Sequence, residues 1–198
     1  MTKNRTYAAL TAILTLAIGL LVGRLSHAAP EEPHAGAPGA AVVQPLDPVA
    51  RGEYLVLTSS CHDCHTPLKM GSSGPEPDME RALSGHPEDL ALPPAPPASG
   101  PWIGSMAASM TAWSGPWGTS FTANLTPDPE TGTGTWSEED FVRTIRTGRH
   151  LGSGRQILPP MPIPVYQNFT DEDLGAMYQY LRSVKPIRNR VPQPLPPG

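Results

Sequence analysis

The sequence predicts an all-α domain of three or more short helices, interrupted by a long Pro- and Gly-rich insertion at residues 66–118. Asp47 precedes Pro48, which pairs an N-cap residue with Pro in the first helical turn. Ser137 and Thr170 each stand three residues before an Asp, in the pattern of a capping box with Asp as its last member. Pro (26) and Gly (19) make up nearly a quarter of the 198 residues, which indicates much irregular backbone between the helices.

The three predicted helices follow these start signals in order. The first covers residues 48–60, and the second covers 137–147 and stops at Gly148, a residue type common just past helix ends. The third covers 171–184 and ends before Pro186. It carries an apolar stripe with helical spacing, formed by Leu174, Met177, Tyr178 and Leu181. Such a stripe is buried against another element in a folded domain.

Residues 1–28 have the pattern of an export segment. Lys3 and Arg5 precede a nearly uninterrupted apolar run over residues 7–23, and small residues up to Ala28 offer a cleavage site. Seventeen apolar residues fit a long signal peptide or a short membrane anchor, and both alternatives remain open. We expect a periplasmic protein, either soluble or attached to the membrane through residues 7–23.

The rest of the chain divides into a flexible linker (29–45), one domain (46–187) and a Pro-rich tail (188–198). The first 28 residues hold three basic and no acidic residues, so the remainder has 11 basic and 18 acidic residues, a net charge of −7. This balance argues against nucleic-acid binding, which needs a basic surface. It is compatible with an acidic protein that docks on basic partners.

The motif that decides the function is Cys61-His62-Asp63-Cys64-His65. C-x-x-C-H is the attachment signature of c-type haem. Each thiol adds to one haem vinyl group, and a spacer of two residues brings both sulfurs onto one turn. His65 follows directly and is therefore held beneath the iron as an axial ligand. Because the chain has no further cysteine, the motif predicts one covalent haem c.

The same residues have three other interpretations. A thioredoxin-like redox pair needs a preceding strand and a βαβ frame, and the sequence predicts neither. A zinc site would crowd four ligands into five residues, which is poor tetrahedral geometry. A structural disulfide remains an alternative, although it is strained across two intervening residues in most backbones.

Met161 is the predicted second axial ligand of the iron. Four prolines surround it within residues 158–164, and by fixing φ and removing amide donors they predict a stiff extended loop without helix or strand. A thioether is a weak, uncharged ligand, so a loop that prepositions it lowers the entropy cost of ligation. A Met that fills core space is the alternative, and His86 and His150 are rival ligands.

Together these features resemble a class I c-type cytochrome over residues 47–187 apart from the insertion. The resemblance implies a first helix that leads into the haem motif, a middle helix, a Pro-flanked Met loop and a last helix that crosses the first. It further implies that Gly52 and Tyr180 meet at that crossing. It also implies that a carbonyl near Ala123 and Asn124 accepts a hydrogen bond from Nδ1 of His65.

More narrowly, three segments resemble cytochrome c subunits that partner periplasmic dehydrogenases. They are Phe121 to Asp128, Gly134-Thr135-Trp136 and Pro160-Met161-Pro162. The implied function is relay of single electrons to or from redox partner proteins, a dehydrogenase or a terminal oxidase. The alternatives are a haem subunit whose main task is to hold a catalytic partner at the membrane, and a five-coordinate haem enzyme or sensor.

No nucleophile–base set or carboxylate pair that would indicate substrate chemistry is recognisable, so we expect an electron carrier rather than an enzyme. The role of the insertion is open. Its tryptophans, Trp102, Trp113 and Trp117, either cover the haem edges or pack in the core.

Overall fold

The computed structural model describes residues 47–97 and 100–197. The predicted export segment (1–28) and linker (29–45) lie outside the described residues. In the described part, the helices are α1 (Pro48–Thr58), α2 (Cys61–His65), α3 (Glu138–Thr147), α4 (Ile163–Tyr166) and α5 (Asp171–Ser183). The strands are β1 (Leu68–Gly71), β2 (Gly74–Pro77), β3 (Ser105–Met106), β4 (Ala112–Gly115) and β5 (Gly118–Phe121). Short 3₁₀ turns lie at Met79–Arg81 and His150–Gly152.

Helix α1 begins and ends close to where its sequence predicts. The Asp47 side chain accepts a hydrogen bond from the Ala50 amide at 3.3 Å, and Pro48 occupies the first turn. Leu55 and Val56 point into the core. Ser60, with a left-handed φ of 61°, then turns the chain into α2, which carries the haem motif.

Helices α1 and α5 cross at Gly52, and this contact confirms the predicted crossing. A Cβ placed on Gly52 would lie 1.9 Å from the Ala176 carbonyl oxygen and 2.8 Å from Cβ of Tyr180. Only glycine therefore permits the two backbones to approach this closely. An ion pair of 2.9 Å between Arg51 and Asp173 accompanies the crossing at the start of α5.

The caps of α3 and α5 follow the sequence signals, with one difference. Ser137 and Asp140 form the complete capping box, and Gly148 ends α3 with a φ of 65°. At α5 the Thr170 hydroxyl accepts from the Asp173 amide at 3.0 Å, which is the first half of the predicted box. Because the sequence pattern is the same at both helices, it does not distinguish the complete box from the single bond.

The prediction of an all-α fold is wrong, because the described residues also form two antiparallel sheets. Strands β1 and β2 make a hairpin, and β3, β4 and β5 form a second sheet in chain order. Each strand has only two to four residues, too few for alternation of apolar and polar positions to be visible. Two prolines within β2, Pro75 and Pro77, further hide it from propensity-based recognition. The insertion is therefore partly regular structure.

Helix α4 corrects a second expectation. The Pro-rich segment 158–164 was expected to exclude helix, yet Ile163 and Pro164 open this four-residue helix. Proline is tolerated in a first helical turn, where its missing N–H has no intrahelical partner in any case. The rest of the segment, residues 158–162, which we call the Met loop, is irregular around Met161.

The main core lies between α1, α3, α4 and α5. Its buried apolar residues are Leu55, Val56, Cys61, Leu83, Phe141, Ile145, Ile163, Tyr166, Leu174, Ala176, Met177 and Leu181. Leu83 comes from the insertion, which therefore contributes to this core. The Pro-rich tail is attached rather than free, since Leu195 exchanges two backbone hydrogen bonds with Thr119 of β5. Within residues 47–97 and 100–197, no helix has both the length and the apolar character needed to cross a bilayer.

Candidate haem-binding site

A cavity of about 310 Å³ brings together all four predicted site residues, Cys61, Cys64, His65 and Met161. Its volume is within the range of pockets that enclose small ligands, ~300–1,000 Å³. The remaining wall is mainly apolar and includes Leu125, Trp136, Phe141, Ile145, Ile157, Tyr166, Met177 and Leu181. Helices α2, α3 and α5 and the Met loop all contribute to it, so the cavity exists only after these elements have packed.

The two cysteines stand on one helical turn and are both free thiols. Burial raises the pKa of the Cys61 thiol to about 11, against a smaller opposing effect of its contact with the Tyr166 hydroxyl. Burial, followed by the charge of Asp63, also raises the pKa of Cys64. Both groups therefore remain protonated thiols at neutral pH. They face the cavity as neutral side chains.

His65 is held in one tautomer by its neighbour. Its Nδ1 lies 2.7 Å from the Ala123 carbonyl oxygen, which can only accept, so Nδ1 carries the proton. The Nε2 lone pair is consequently free for a metal. Burial lowers the pKa of this imidazole, although the bond to Ala123 acts in the opposite direction. The contact confirms the expectation that a carbonyl near residues 123 and 124 accepts from this ring.

Met161 reaches the cavity from a loop that is anchored on β5. The Ser120 hydroxyl donates to the Pro159 carbonyl at 2.5 Å, and Ser120 itself lines the cavity. On the other side, the Ile163 amide donates to the Met161 carbonyl at 2.9 Å. Both bonds fix backbone next to the thioether, which is how the structure restricts the position of this side chain.

The two rival histidines differ in their access to the cavity. His86 is fully buried, and its ring nitrogens contact Thr111 Oγ1 at 2.9 Å and the Leu90 carbonyl at 3.0 Å. With both nitrogens engaged and no place in the cavity wall, His86 is not a ligand candidate. His150 does line the cavity, where its ring packs edge-on against Trp136 with centroids 5.1 Å apart.

A second, more polar cavity of about 210 Å³ adjoins the first, and His150 and Arg155 line both of them. The His150 amide donates to the Arg155 carbonyl at 3.0 Å, so the two residues belong to one turn. Burial lowers the pKa of His150, and the charge of Arg155 lowers it further. This turn places one permanent and one titratable positive charge beside an otherwise apolar wall.

The sequence did not identify several wall residues, and it proposed others that do not line the cavity. Trp102, Trp113 and Trp117 are absent from the wall, and Trp102 is 75% exposed. Trp136 lines the cavity instead of these three tryptophans. Tyr166 was also missed, although its hydroxyl donates to the Ser59 carbonyl and lies 3.8 Å from the Cys61 sulfur. Its only sequence signal was its position just after the Met loop.

The structure also bears on the alternative uses of the cysteine motif. Helix α1, and not a strand, precedes the motif, which argues against a thioredoxin-like frame. Residues 47–97 and 100–197 contain no group of three or more His, Cys, Asp or Glu side chains that could hold a metal ion. The residues present fit haem c: two thiols, a thioether and an imidazole whose Nε2 lone pair is available to a metal all line one apolar cavity.

The family model of cytochrome c matches residues 49–185. The chain therefore belongs to the cytochrome c family, and this confirms the predicted c-type cytochrome, a haem protein that transfers electrons rather than an enzyme. It also confirms haem c as the cofactor.

Curated relatives point in the same direction. The chain is 33% identical over 159 residues to the cytochrome c subunit of a quinone alcohol dehydrogenase from Gluconobacter oxydans, covering 78% of this chain and 26% of the relative. It is 28% identical over 184 residues to the fructose dehydrogenase cytochrome subunit of Gluconobacter japonicus, covering 92% of this chain and 30% of the relative. It is 31% identical over 140 residues to the gluconate 2-dehydrogenase cytochrome c subunit of Pantoea cypripedii, covering 70% of this chain and 24% of the relative. The chain thus spans less than a third of the length of these curated relatives.

Proposed function

We propose that this chain carries one haem c, attached through Cys61 and Cys64 and ligated by His65 and Met161, and that it relays single electrons for a dehydrogenase outside the cytoplasm. The observation that carries the proposal is the convergence of these four side chains on one apolar cavity. When bound, haem c supplies a one-electron couple at its iron.

The protein's own residues have three tasks in this proposal. The thiols of Cys61 and Cys64, three residues apart on α2, provide two covalent anchor points. The bond from Nδ1 to Ala123 fixes the tautomer in which Nε2 of His65 can bind a metal. The apolar wall excludes water, which limits the reorganisation that accompanies a change of charge.

The proposed partner is a dehydrogenase that donates electrons, with a terminal oxidase as the alternative partner on the acceptor side. Three relatives whose names identify cytochrome subunits of alcohol, gluconate and fructose dehydrogenases support the first. The net charge of −7 outside the first 28 residues supports docking on a basic surface. Export through residues 1–28, as signal or anchor, is part of the proposal, as are the linker 29–45, the domain 46–187 and the tail 188–198.

Covalent attachment is tested by the mass of the denatured protein after expression in a host that matures c-type cytochromes. We expect the polypeptide to carry the mass of one haem. The Cys61→Ala and Cys64→Ala variants each remove one anchor, and the double variant is expected to release all haem on denaturation. Colourless protein with the mass of the bare chain would contradict the proposed attachment.

The assignment of Met161 is tested against Met177, the other methionine of the cavity wall. Met161→Leu is expected to abolish the weak sulfur-to-iron absorption band near the red edge of the visible spectrum. It is also expected to lower the reduction potential and to permit rapid carbon monoxide binding. Met177→Leu has nearly the same volume change and is the matched control, which is expected to retain all three properties. Rapid carbon monoxide binding by the unmodified protein would favour the five-coordinate enzyme or sensor instead.

A further inference from the structure

The insertion makes direct contact with the carbonyl that orients His65. A Cβ placed on Gly85 would lie 2.6 Å from the Ala123 carbonyl oxygen, the same atom that accepts from Nδ1 of His65. The Gly85 amide in turn donates to the backbone carbonyl of His65 at 2.8 Å. Gly85 has a φ of 78°, which favours glycine. This one residue therefore touches both the imidazole's hydrogen-bond acceptor and the backbone that carries the imidazole.

Hydrogen bonds on both sides of Ala123 hold the same segment in place. The His86 amide donates to the Thr122 carbonyl at 3.0 Å, and the Leu125 amide donates to the Leu83 carbonyl at 2.9 Å. The Ala123 peptide is thus flanked on each side by a bond to residues 83–86. A rotation of its carbonyl would require one or both of these bonds to break.

Leu83 connects the segment to the haem motif a second time. Its amide donates to Thr66 Oγ1 at 3.0 Å, and Thr66 directly follows His65. Because the Thr66 oxygen accepts this bond, the hydroxyl can donate its own proton to Nδ1 of His62, 2.9 Å away. Leu83 is 1% exposed and has a left-handed φ of 59°, an unusual conformation for a branched residue. Such strain persists only where the surroundings hold it firmly.

Asn189, from the segment after α5, locks residues 83–86 from the outside. Its Nδ2 donates to the Ser84 carbonyl at 2.7 Å and to the His86 carbonyl at 2.9 Å. Its Oδ1 accepts from the Glu88 amide at 2.8 Å. Asn189 is 7% exposed, so these three bonds satisfy a buried amide whose donors and acceptor would otherwise be costly to desolvate.

We propose that residues 83–86, locked by Asn189, form a brace that fixes the Ala123 carbonyl and thereby the orientation and basicity of the His65 ring. This role rests on the proposed function, in which His65 ligates the iron. A firm bond from Nδ1 gives the imidazole more anionic character, which stabilises ferric over ferrous iron. Loosening the brace therefore raises the reduction potential. Gly85 and Asn189 are positioning residues for the axial ligand.

The first test uses two variants of the haem-loaded protein, Asn189→Ala and Gly85→Ala. Each is expected to raise the reduction potential and to speed solvent exchange of the His65 Nδ1 proton, measured by NMR, by about tenfold, the factor for one lost hydrogen bond. The matched controls are Gln193→Ala, an exposed amide further along the same segment, and Gly74→Ala, a positive-φ glycine with nothing within 4 Å. Both controls are expected to behave as the unmodified protein.

A second measurement needs no variant. In the unmodified protein, the brace predicts that the opening free energy of the His65 Nδ1 proton, corrected for each group's intrinsic exchange rate, is no lower than those of the His86 and Leu125 amides, because one opening exposes all three. A lower opening free energy at His65, or unchanged potential and exchange in a folded Asn189→Ala protein, would overturn the brace. If such a result comes with retained haem mass and a retained sulfur-to-iron band, the brace has failed while the proposed function stands; if haem or the band is also lost, the proposed function has failed.

Discussion

The crossing of α1 and α5 allows one prediction to be worked out in detail. Gly52→Ala adds a single methyl group at the point where the two backbones meet. Its Cβ would stand 1.9 Å from the Ala176 carbonyl oxygen and 2.6 Å from the carbonyl carbon, against 3.4 Å or more for an ordinary contact. Both atoms belong to the α5 backbone. No side-chain rotation can relieve the overlap, so the helices must move apart.

The magnitude follows from two opposing effects. Alanine has the higher helix propensity, which favours the variant by about 1 kcal/mol. Overpacking of a close contact costs about 1–3 kcal/mol, and more where rigid backbone must shift. Moving α1 away from α5 also loosens the packing of Val56 and Leu174, both of which are fully buried. We therefore expect a net loss of about 2 kcal/mol of unfolding free energy.

The assay is urea unfolding of the haem-loaded protein, followed by circular dichroism. With a denaturant slope of about 1–3 kcal/mol/M, the expected loss moves the midpoint down by about 1 M. Gly175→Ala is the matched control, since it adds a methyl in α5 against Oε1 of Glu138 at 2.8 Å. That atom ends a flexible side chain, so the control is expected to equal or exceed the unmodified protein in stability. A Gly52→Ala midpoint at or above that of the unmodified protein would refute the reasoning.

Two further predictions concern the cavity wall. Ser120→Ala removes the bond to the Pro159 carbonyl that anchors the Met loop. In stopped-flow mixing, imidazole is therefore expected to bind the ferric variant about tenfold faster. Ser114→Ala, on the same sheet, is the control and is expected to leave this rate unchanged. Burial and the charge of Arg155 hold the pKa of His150 below its usual value. Protonated His150 would place positive charge beside the haem and is expected to favour the reduced, less positive state of the iron. The reduction potential should therefore fall as pH rises through that lowered pKa, and His150→Gln should flatten the slope; an unchanged slope would assign the titration to another group.

The sequence-based predictions succeeded where neighbouring residues carry the whole signal. Ser137 with Asp140 predicted the start of α3, and the C-x-x-C-H motif predicted which residues share a turn of α2. The prediction failed for the two sheets, because strands of two to four residues contain too little pattern. It could not choose between the two roles open for Trp102, Trp113 and Trp117, since their residue type does not reveal which way the insertion folds.

By itself, the sequence determined the chemistry of the site: two thiols, an imidazole directly after them, and a thioether in a Pro-rich loop. These signals are local and survive any arrangement of the rest of the chain. The resemblance to class I c-type cytochromes indicated a carbonyl near Ala123 as the partner of His65. Only the tertiary structure decided that Gly85 meets this carbonyl and that Asn189 holds Ser84 across 105 residues. Such contacts depend on how distant segments pack together, and packing is a property of the whole fold rather than of any short stretch of sequence.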